Sequence, residues 1–495
     1  MPPRPDPCAV LRLVILAAGL AGCGNPTPAL AGPGPAAAAP VIGTTPATAQ
    51  PTPSPAGAGA KTPAAPFALD QVNHVIVIYQ ENWSFDGLYS QFPGARGYAD
   101  QAPVAQTDAG GRPLLRLPQP LDNSGQPDAR FPASLPVHFY NILAYVPPKD
   151  LTGDLIHAFY HEQAQIDGGA NDRFAAYGSN PGLVLGFYDA SILPEGQLAA
   201  QFVLCDNCFH SAFGGSFLNH QWLIAACTPE VPAGVDLPES WRGRFSTDPD
   251  RLEDRPLTAD GRWMVNTWQT LNDPHGSGAA IPVLFTHATI GDRLSAAGIS
   301  WAWYAGGWNH ALATRVAYCE PDDFQAHHQP FNYFAAFDQT TAAGQANRTL
   351  HLKDEQDFLA ALAGDAHDVP AVAFIKPMGT DNEHPGYAAL ARGQRHTADL
   401  VDAIRNSPIW QDTVIIITYD EHGGRWDHVA PPVIDQWGPG VRVPMIIISP
   451  FAKTHVVDHT QYETVSILHF IEKRWGLQAL GTRDAQADPL SGAFR

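Results

Sequence analysis

Two seven-residue runs of almost unbroken apolar character, HVIVIYQ at 74–80 and TVIIITY at 413–419, limit what this chain can fold into. Each is short, rich in β-branched residues and without polar alternation, so each reads as a strand buried on both faces. Comparable runs occur at 201–205, 299–305, 371–376 and 443–449. Between them, 355–363, 387–405 and 462–475 space their apolar residues as helices do. Near-continuous apolar strands alternating with helices predict an α/β fold with three α/β/α layers and a mostly parallel central sheet. In such sheets ligands bind beyond the carboxyl ends of the strands. The residues that follow each strand are therefore where chemistry is expected. The stretch 228–286 is poorer in pattern and rich in Pro, Trp and Asp, and is expected to form a cap-like insertion.

The amino-terminal end has a different character. Arg4 and Arg12 flank a short apolar run at 13–20 that ends in Leu20-Ala21-Gly22-Cys23. A basic start, a run too short to span a bilayer and small residues before a cleavage point predict a signal peptide over 1–22. Leu-Ala-Gly-Cys resembles the lipobox of bacterial lipoproteins, which implies an exported protein held to a membrane, on its periplasmic or cell-surface side, through acylated Cys23. An ordinary secretory signal with an incidental Cys23 is the plainer alternative. Residues 23–66, rich in Pro, Ala, Gly and Thr and nearly uncharged, cannot bury enough surface to fold and predict a disordered tether. The folded catalytic part is then 67–495. No later stretch offers ~20 uninterrupted apolar residues for a membrane span.

Lys and Arg number 29 against 49 Asp and Glu, a net charge of −20. That balance argues against nucleic acid as a partner. It does not forbid an anionic substrate, because a bound cation or a helix terminus can reverse the local field. Of six cysteines, Cys8 would leave with the signal and Cys23 carry lipid. Cys205, Cys208, Cys227 and Cys319 remain and are expected to pair in an exported protein, by any of three connectivities. Cys205-Asp206-Asn207-Cys208 has the spacing of half a zinc site, but no second Cys pair accompanies it.

Two acidic groups follow strands more than three hundred positions apart. The first strand runs into Glu81-Asn82-Trp83-Ser84-Phe85-Asp86, and the strand at 413–419 into Asp420-Glu421-His422-Gly423-Gly424-Arg425-Trp426-Asp427-His428-Val429. Carboxylate and amide oxygens so placed are good ligands for a divalent cation. Either fragment alone is equally well a cap or a turn; their shared position favours a site. Between them lies Gly214-Gly215-Ser216-Phe217-Leu218-Asn219-His220-Gln221-Trp222. Ser216 falls at the start of an apolar helical stretch, where free N–H groups and the positive dipole end suit a phosphate. From position alone, an N-cap is the simpler reading of that serine.

Taken together, ENWSFD, GGSFLNHQW and YDEHGGRWDHV resemble the bacterial phosphoesterase family of acid phosphatases and phospholipases C, a branch of the alkaline phosphatase superfamily. The resemblance runs from about Asn73 to Gly476 with the motifs in the family's order. Gly-Gly-Ser-Phe-Leu-Asn-His looks like the acid phosphatase subgroup, whereas phospholipase C members more often read Gly-Pro-Thr. Trp83 departs from the commoner Arg at a position that is not a ligand. The resemblance implies an alkaline phosphatase-like fold, Ser216 as nucleophile, and one divalent cation of unknown identity held by Glu81, Asn82, Asp420, Glu421 and the Ser216 oxygen. It also singles out histidines as donors and general acid: His157 in DLIHAFYHEQ, His384 in DNEHP, and the pair His327 and His328 before Gln-Pro-Phe. His161, four residues after His157, is an alternative metal partner for it. Asp427 and His428 match the family's DHV segment, with a supporting role as open as direct contact.

Three functions compete on these residues. A phosphomonoesterase and a phospholipase C share every residue named and differ only in pocket shape. A scaffold on a decayed enzyme fold would have lost one of Ser216, Glu81, Asn82, Asp420 or Glu421, and all five are present.

Overall fold

The computed structural model describes residues 67–276, 278–318 and 324–495. The expected signal, Cys23, the tether and Cys319 lie outside these residues. Eight strands make the main sheet: β1 (His74–Gln80), β2 (Val203–Cys205), β3 (Trp301–Ala305), β4 (Leu352–Lys353), β5 (Val372–Lys376), β6 (Thr413–Tyr419), β7 (Met445–Ile448) and β8 (Val456–Asp458). Their order is β8-β2-β7-β6-β1-β5-β3-β4. β1 lies inside the sheet, in parallel register with β6 from His74↔Thr413 to Gln80↔Tyr419 and with β5 from Val75↔Val372 to Ile78↔Ile375. Every ladder of this sheet is parallel except the two that β7 makes. No helix lies between Tyr419 and Met445, so no helical crossover brings the chain back parallel, and β7 returns antiparallel.

Successive side chains of a strand point to opposite faces, and the end of β1 shows which helices cover each. The Tyr79 hydroxyl donates to the Asn219 carbonyl of the helix Ser216–Ala225 at 3.3 Å. The Gln80 amide reaches Thr397 of the helix Leu390–Arg405. These two helices therefore cover opposite faces, giving the three layers expected. Thr464–Trp475 packs beside Ser216–Ala225, and Pro194–Gln201 beside Leu390–Arg405.

Element boundaries differ from the expected ones where another element claims the residue. Gln201 ends a helix rather than opening β2. Tyr462 and Glu463 pair with Cys208 and Phe209 before their helix begins. The described part of 228–286 has only the 3-10 turns Glu239–Trp241 and Pro249–Arg251 and isolated bridges. Trp241, Trp263 and Trp268 cluster there, with centroids 5.0–6.4 Å apart.

The expected disulfides are corrected: Cys205, Cys208 and Cys227 are free thiols. Cys205 is paired into the main sheet and Cys208 into a separate two-stranded ladder. Burial raises the pKa of all three. Cys205 and Cys208 behave as small core side chains, and Cys227 packs half-buried against the core.

Candidate functional site

The carboxyl ends of β1, β5 and β6 deliver Glu81, Lys376 and Asp420 to one fully buried place. Glu81 is the centre of the charge there. Its Oε1 lies 2.8 Å from Lys376 Nζ and 2.5 Å from His328 Nε2, and its Oε2 accepts from the Tyr387 hydroxyl at 3.1 Å. His327 and His384 stand 3.9 and 4.0 Å from the same carboxylate. Burial works against the charge of Glu81, yet Lys376 and His328 hold its pKa well below the usual carboxylate range. Burial pushes His328 down to about 4 and His327 well below its ordinary value.

Asn82 follows with a left-handed backbone, φ 78°. Gly423 packs against it so closely that a Cβ would sit 2.3 Å from the Asn82 carbonyl oxygen, and its own φ is +60°. That contact explains the glycine after Asp420-Glu421-His422, and it locks the two acidic loops together. Asp420 and Glu421 are pushed well up, first by burial and then by the charges of Glu81 and Asp420 respectively. Asp420 Oδ1 accepts from the Glu421 N–H and Glu421 Oε2 from the Gly423 N–H. Asp420 Oδ2, Glu421 Oε1 and Asn82 Oδ1 are buried without a hydrogen-bond donor. Glu81 Oε1 meets Lys376 and His328 without an aligned hydrogen bond. Several buried, poorly paired oxygens of this kind are costly in protein alone. They are the donor set a hard cation requires, so Glu81, Asn82, Asp420 and Glu421 fit a metal.

Ser216 is the first residue of its helix, after Gly215. It is 2 % exposed, and its hydroxyl lies against the Asp420 carboxylate. No side-chain cap is made at this helix start, so the cap reading of Ser216 fails. The expectation of free N–H groups at this terminus is corrected for Ser216 and Phe217. The Ser216 N–H donates to Asn266 Oδ1 at 2.7 Å and the Phe217 N–H to the Asn266 carbonyl at 3.0 Å. The Gly214 N–H donates to Glu162 Oε2 at 2.7 Å. Gly214 has φ +91°, and a Cβ there would meet the Phe159 backbone at 2.7 Å.

Of the expected histidines, His157 is at the site. Its Nδ1 donates to the Leu155 carbonyl at 2.7 Å, so Nε2 is the acceptor for Asn82 Nδ2 at 3.4 Å and lies 3.8 Å from Glu421 Oε1. Burial lowers its pKa. His157 and His384, with ring centroids 5.6 Å apart, line a cavity of about 390 Å³ together with Asp154, Asn266, Gln325 and Tyr387. His161 does not join them. It sits on the helix Phe159–Ile166, which begins after His157, and its Nδ1 lies 2.5 Å from Asp254. Asp427 and His428 are also elsewhere, in a network with Asp86 and Arg442, whose guanidinium meets both carboxylates at 2.9–3.1 Å. Trp83 donates to the Glu383 carbonyl at 3.1 Å and carries Arg425 over its ring at 3.9 Å. That packing is structural.

Sequence reasoning missed Lys376, His220 and Glu162. Lys376 had a signal, a charge ending an otherwise apolar strand. His220, one turn after Ser216, meets the Ser216 carbonyl through Nδ1 at 2.7 Å and forms with Glu81 and His328 a group close enough to share an ion. Glu162 is a buried hub. It accepts from the Gly214 and Val441 N–H groups at 2.7 and 3.1 Å, with His210 Nε2 at 2.8 Å and His422 Nε2 at 3.6 Å. Against the cost of burial, the two histidines push it down to about 2.

The chain is 26 % identical over 471 residues to phospholipase C B of Mycobacterium tuberculosis, covering 87 % of this chain and 78 % of the relative. It is 26 % identical over 465 residues to the non-hemolytic phospholipase C of Pseudomonas aeruginosa, covering 86 % of this chain and 57 % of that longer protein. A solved member of the alkaline phosphatase superfamily from Vibrio parahaemolyticus overlays 59 % of this chain and 63 % of its own, at 12 % identity and a TM-score of 0.31. The Phosphoesterase family model matches residues 72–478, which span all three acidic, serine and histidine segments converging here. The chain therefore belongs to the Phosphoesterase family and is a hydrolase acting on phosphoric ester bonds.

Proposed function

We propose that this hydrolase is a metal-dependent phosphomonoesterase that works through a phosphoserine on Ser216. The observation that supports it most directly is the set of buried, donorless oxygens of Asn82, Asp420 and Glu421 beside the Ser216 hydroxyl. Glu81, Asn82, Asp420 and Glu421, with Ser216 Oγ, would hold one divalent cation, and the nearby His220 and His328 leave room for a softer one. Such a cation, when bound, lowers the pKa of the serine hydroxyl and offsets charge on the phosphate.

The chain's own groups do the rest. Ser216 Oγ bonds phosphorus as the bond to the leaving oxygen breaks. The Ser216 hydroxyl has already given its proton to solvent, and the departing alcohol oxygen takes one up from a histidine on the cavity side that carries a proton at its free ring nitrogen. His157 lines that cavity, and with its Nδ1 proton tied to Leu155 it must carry a second proton at Nε2 to serve. His384 lines the same cavity. In the second step water attacks the phosphoserine and gives its proton to the histidine, and Ser216 Oγ departs deprotonated, as it began. Lys376 and His328 keep Glu81 ionised.

A second reading, a phospholipase C cleaving phospholipid diesters, is favoured by what the relatives are. The two are separated by comparing a simple aryl phosphomonoester with phosphatidylcholine vesicles in one metal-supplemented preparation. Turnover of the monoester alone supports the first reading, and a strong preference for the vesicles overturns it in favour of the second. Export and attachment through acylated Cys23 complete the proposal, on the strength of the amino-terminal sequence.

A further inference from the structure

Asn266 comes from the irregular 228–286 stretch, fifty positions after the serine, yet it is tied to the start of the serine helix by two hydrogen bonds, one of them to Ser216. Its Oδ1 accepts the Ser216 N–H at 2.7 Å and its carbonyl accepts the Phe217 N–H at 3.0 Å. Gly215 lies so close that a Cβ there would fall 1.9 Å from Asn266 Oδ1. An amide N–H can only donate, so this contact fixes which way the Asn266 amide faces. With Oδ1 held against Ser216, Nδ2 is the atom left to act elsewhere, and among the described residues no hydrogen bond uses it. Asn266 also lines the cavity of about 390 Å³ that His157 and His384 face. One residue thus joins the backbone of the serine to that cavity.

The Ser216 and Phe217 N–H groups at the start of the serine helix are already taken by Asn266, so a phosphate bound at Ser216 loses those two backbone donors and gains from a side-chain donor in their place. We propose that Asn266 is a catalytic residue whose Nδ2 donates to a non-bridging oxygen of the phosphate undergoing transfer at Ser216. A neutral, pre-oriented donor serves there without adding a charge that competes with the cation. The proposal rests on Ser216 being the attacked-phosphate site, and its test is arranged so that the two stand or fall separately.

The test compares Asn266→Asp and Asn266→Ala with the unaltered chain, in metal-supplemented protein. Asn266→Asp keeps an oxygen for the Ser216 N–H and loses the donor; Asn266→Ala loses both without adding charge. Three quantities are read: kcat/KM on an aryl phosphomonoester, inhibition or binding by orthovanadate, and the thermal midpoint. Both variants should lose about 10²-fold in kcat/KM and bind vanadate correspondingly less well, while Asn266→Asp melts close to the unaltered chain. Retention of kcat/KM and vanadate affinity within threefold in either variant overturns the proposal, since Asn266 would then only brace the turn. If the unaltered chain turns over no phosphomonoester, the functional reading fails on its own. The vanadate comparison among the three proteins still decides the role of Asn266.

Discussion

Replacing Lys376 with Met removes the ammonium beside Glu81 and keeps a side chain of similar length. Both groups are fully buried and 2.8 Å apart. At an effective dielectric of 20 that separation corresponds to about 6 kcal/mol of attraction. Part of it is offset by the cost of burying the lysine, and breaking a buried pair from one side typically costs about 3–5 kcal/mol. For a folded unit of about 430 residues, that loss lowers the thermal midpoint by roughly 3–6 °C. The dependence on conditions is the sharper part. A cation held by Glu81 replaces the missing charge, so the loss should be largest with chelator and much smaller with metal. Lys376 is the first of the charges that lower the Glu81 pKa. Without it that pKa rises, so Glu81 takes up a proton in mild acid and the loss shrinks toward pH 4–5, becoming full near pH 8. Calorimetry of Lys376→Met with and without chelator, at both ends of that range, checks the reasoning. A chelated variant melting within 1 °C of the parent, or a loss indifferent to metal, refutes it.

Four further outcomes are expected. Asp420→Ala, or removal of metal by a chelator, should abolish turnover while leaving the circular dichroism spectrum intact; full activity in either case removes the metal assignment. Ser216→Ala should lose several orders of magnitude in kcat yet still bind vanadate, and acid quenching of the parent with labelled substrate should place phosphate on the Gly214–His220 peptide rather than on a histidine. Because Asp420 and Glu421 have raised folded-state pKa values, the metal-free protein keeps the stability of their protonated forms below about pH 4 and loses it as pH rises. The midpoint difference between metal-loaded and chelated protein should therefore widen from pH 4.5 to 7.5, and a constant difference counts against these two as ligands. Cys23→Ser should release an active enzyme from membranes, whereas a variant still sedimenting with them rules out the lipid anchor.

The sheet was readable because its strands are buried on both faces. HVIVIYQ and TVIIITY have no polar face to confuse the pattern, and both strands match the expected bounds. Pairings that depend on distant partners were not readable. The short strand at Tyr462–Glu463 exists only because Cys208 and Phe209 lie beside it, and two of the free thiols, Cys205 and Cys208, sit in different ladders. The carboxylates were legible as residues following strands, a position with chemical meaning in a parallel sheet. Lys376 left only a faint mark. Asn266 left none, since an asparagine in an irregular stretch carries no periodicity and acquires its role solely from the turn it meets. The helix terminus was misjudged because sequence shows the N–H groups and not the acceptors that occupy them.

The position of β1 has a consequence for how the molecule comes into being. β1 is near the start of the described residues, yet its two neighbours begin at Val372 and Thr413. Until those segments have been synthesised, the first strand has no partner on either edge, and Glu81 has neither Lys376 nor Asp420 beside it. Pairings across such sequence separations are slow to form and leave apolar edges open meanwhile. A nascent chain that has already emitted its serine is thus still without a site. Its hydrolytic capacity would arrive in one late step, when the last third of the sequence closes on the first.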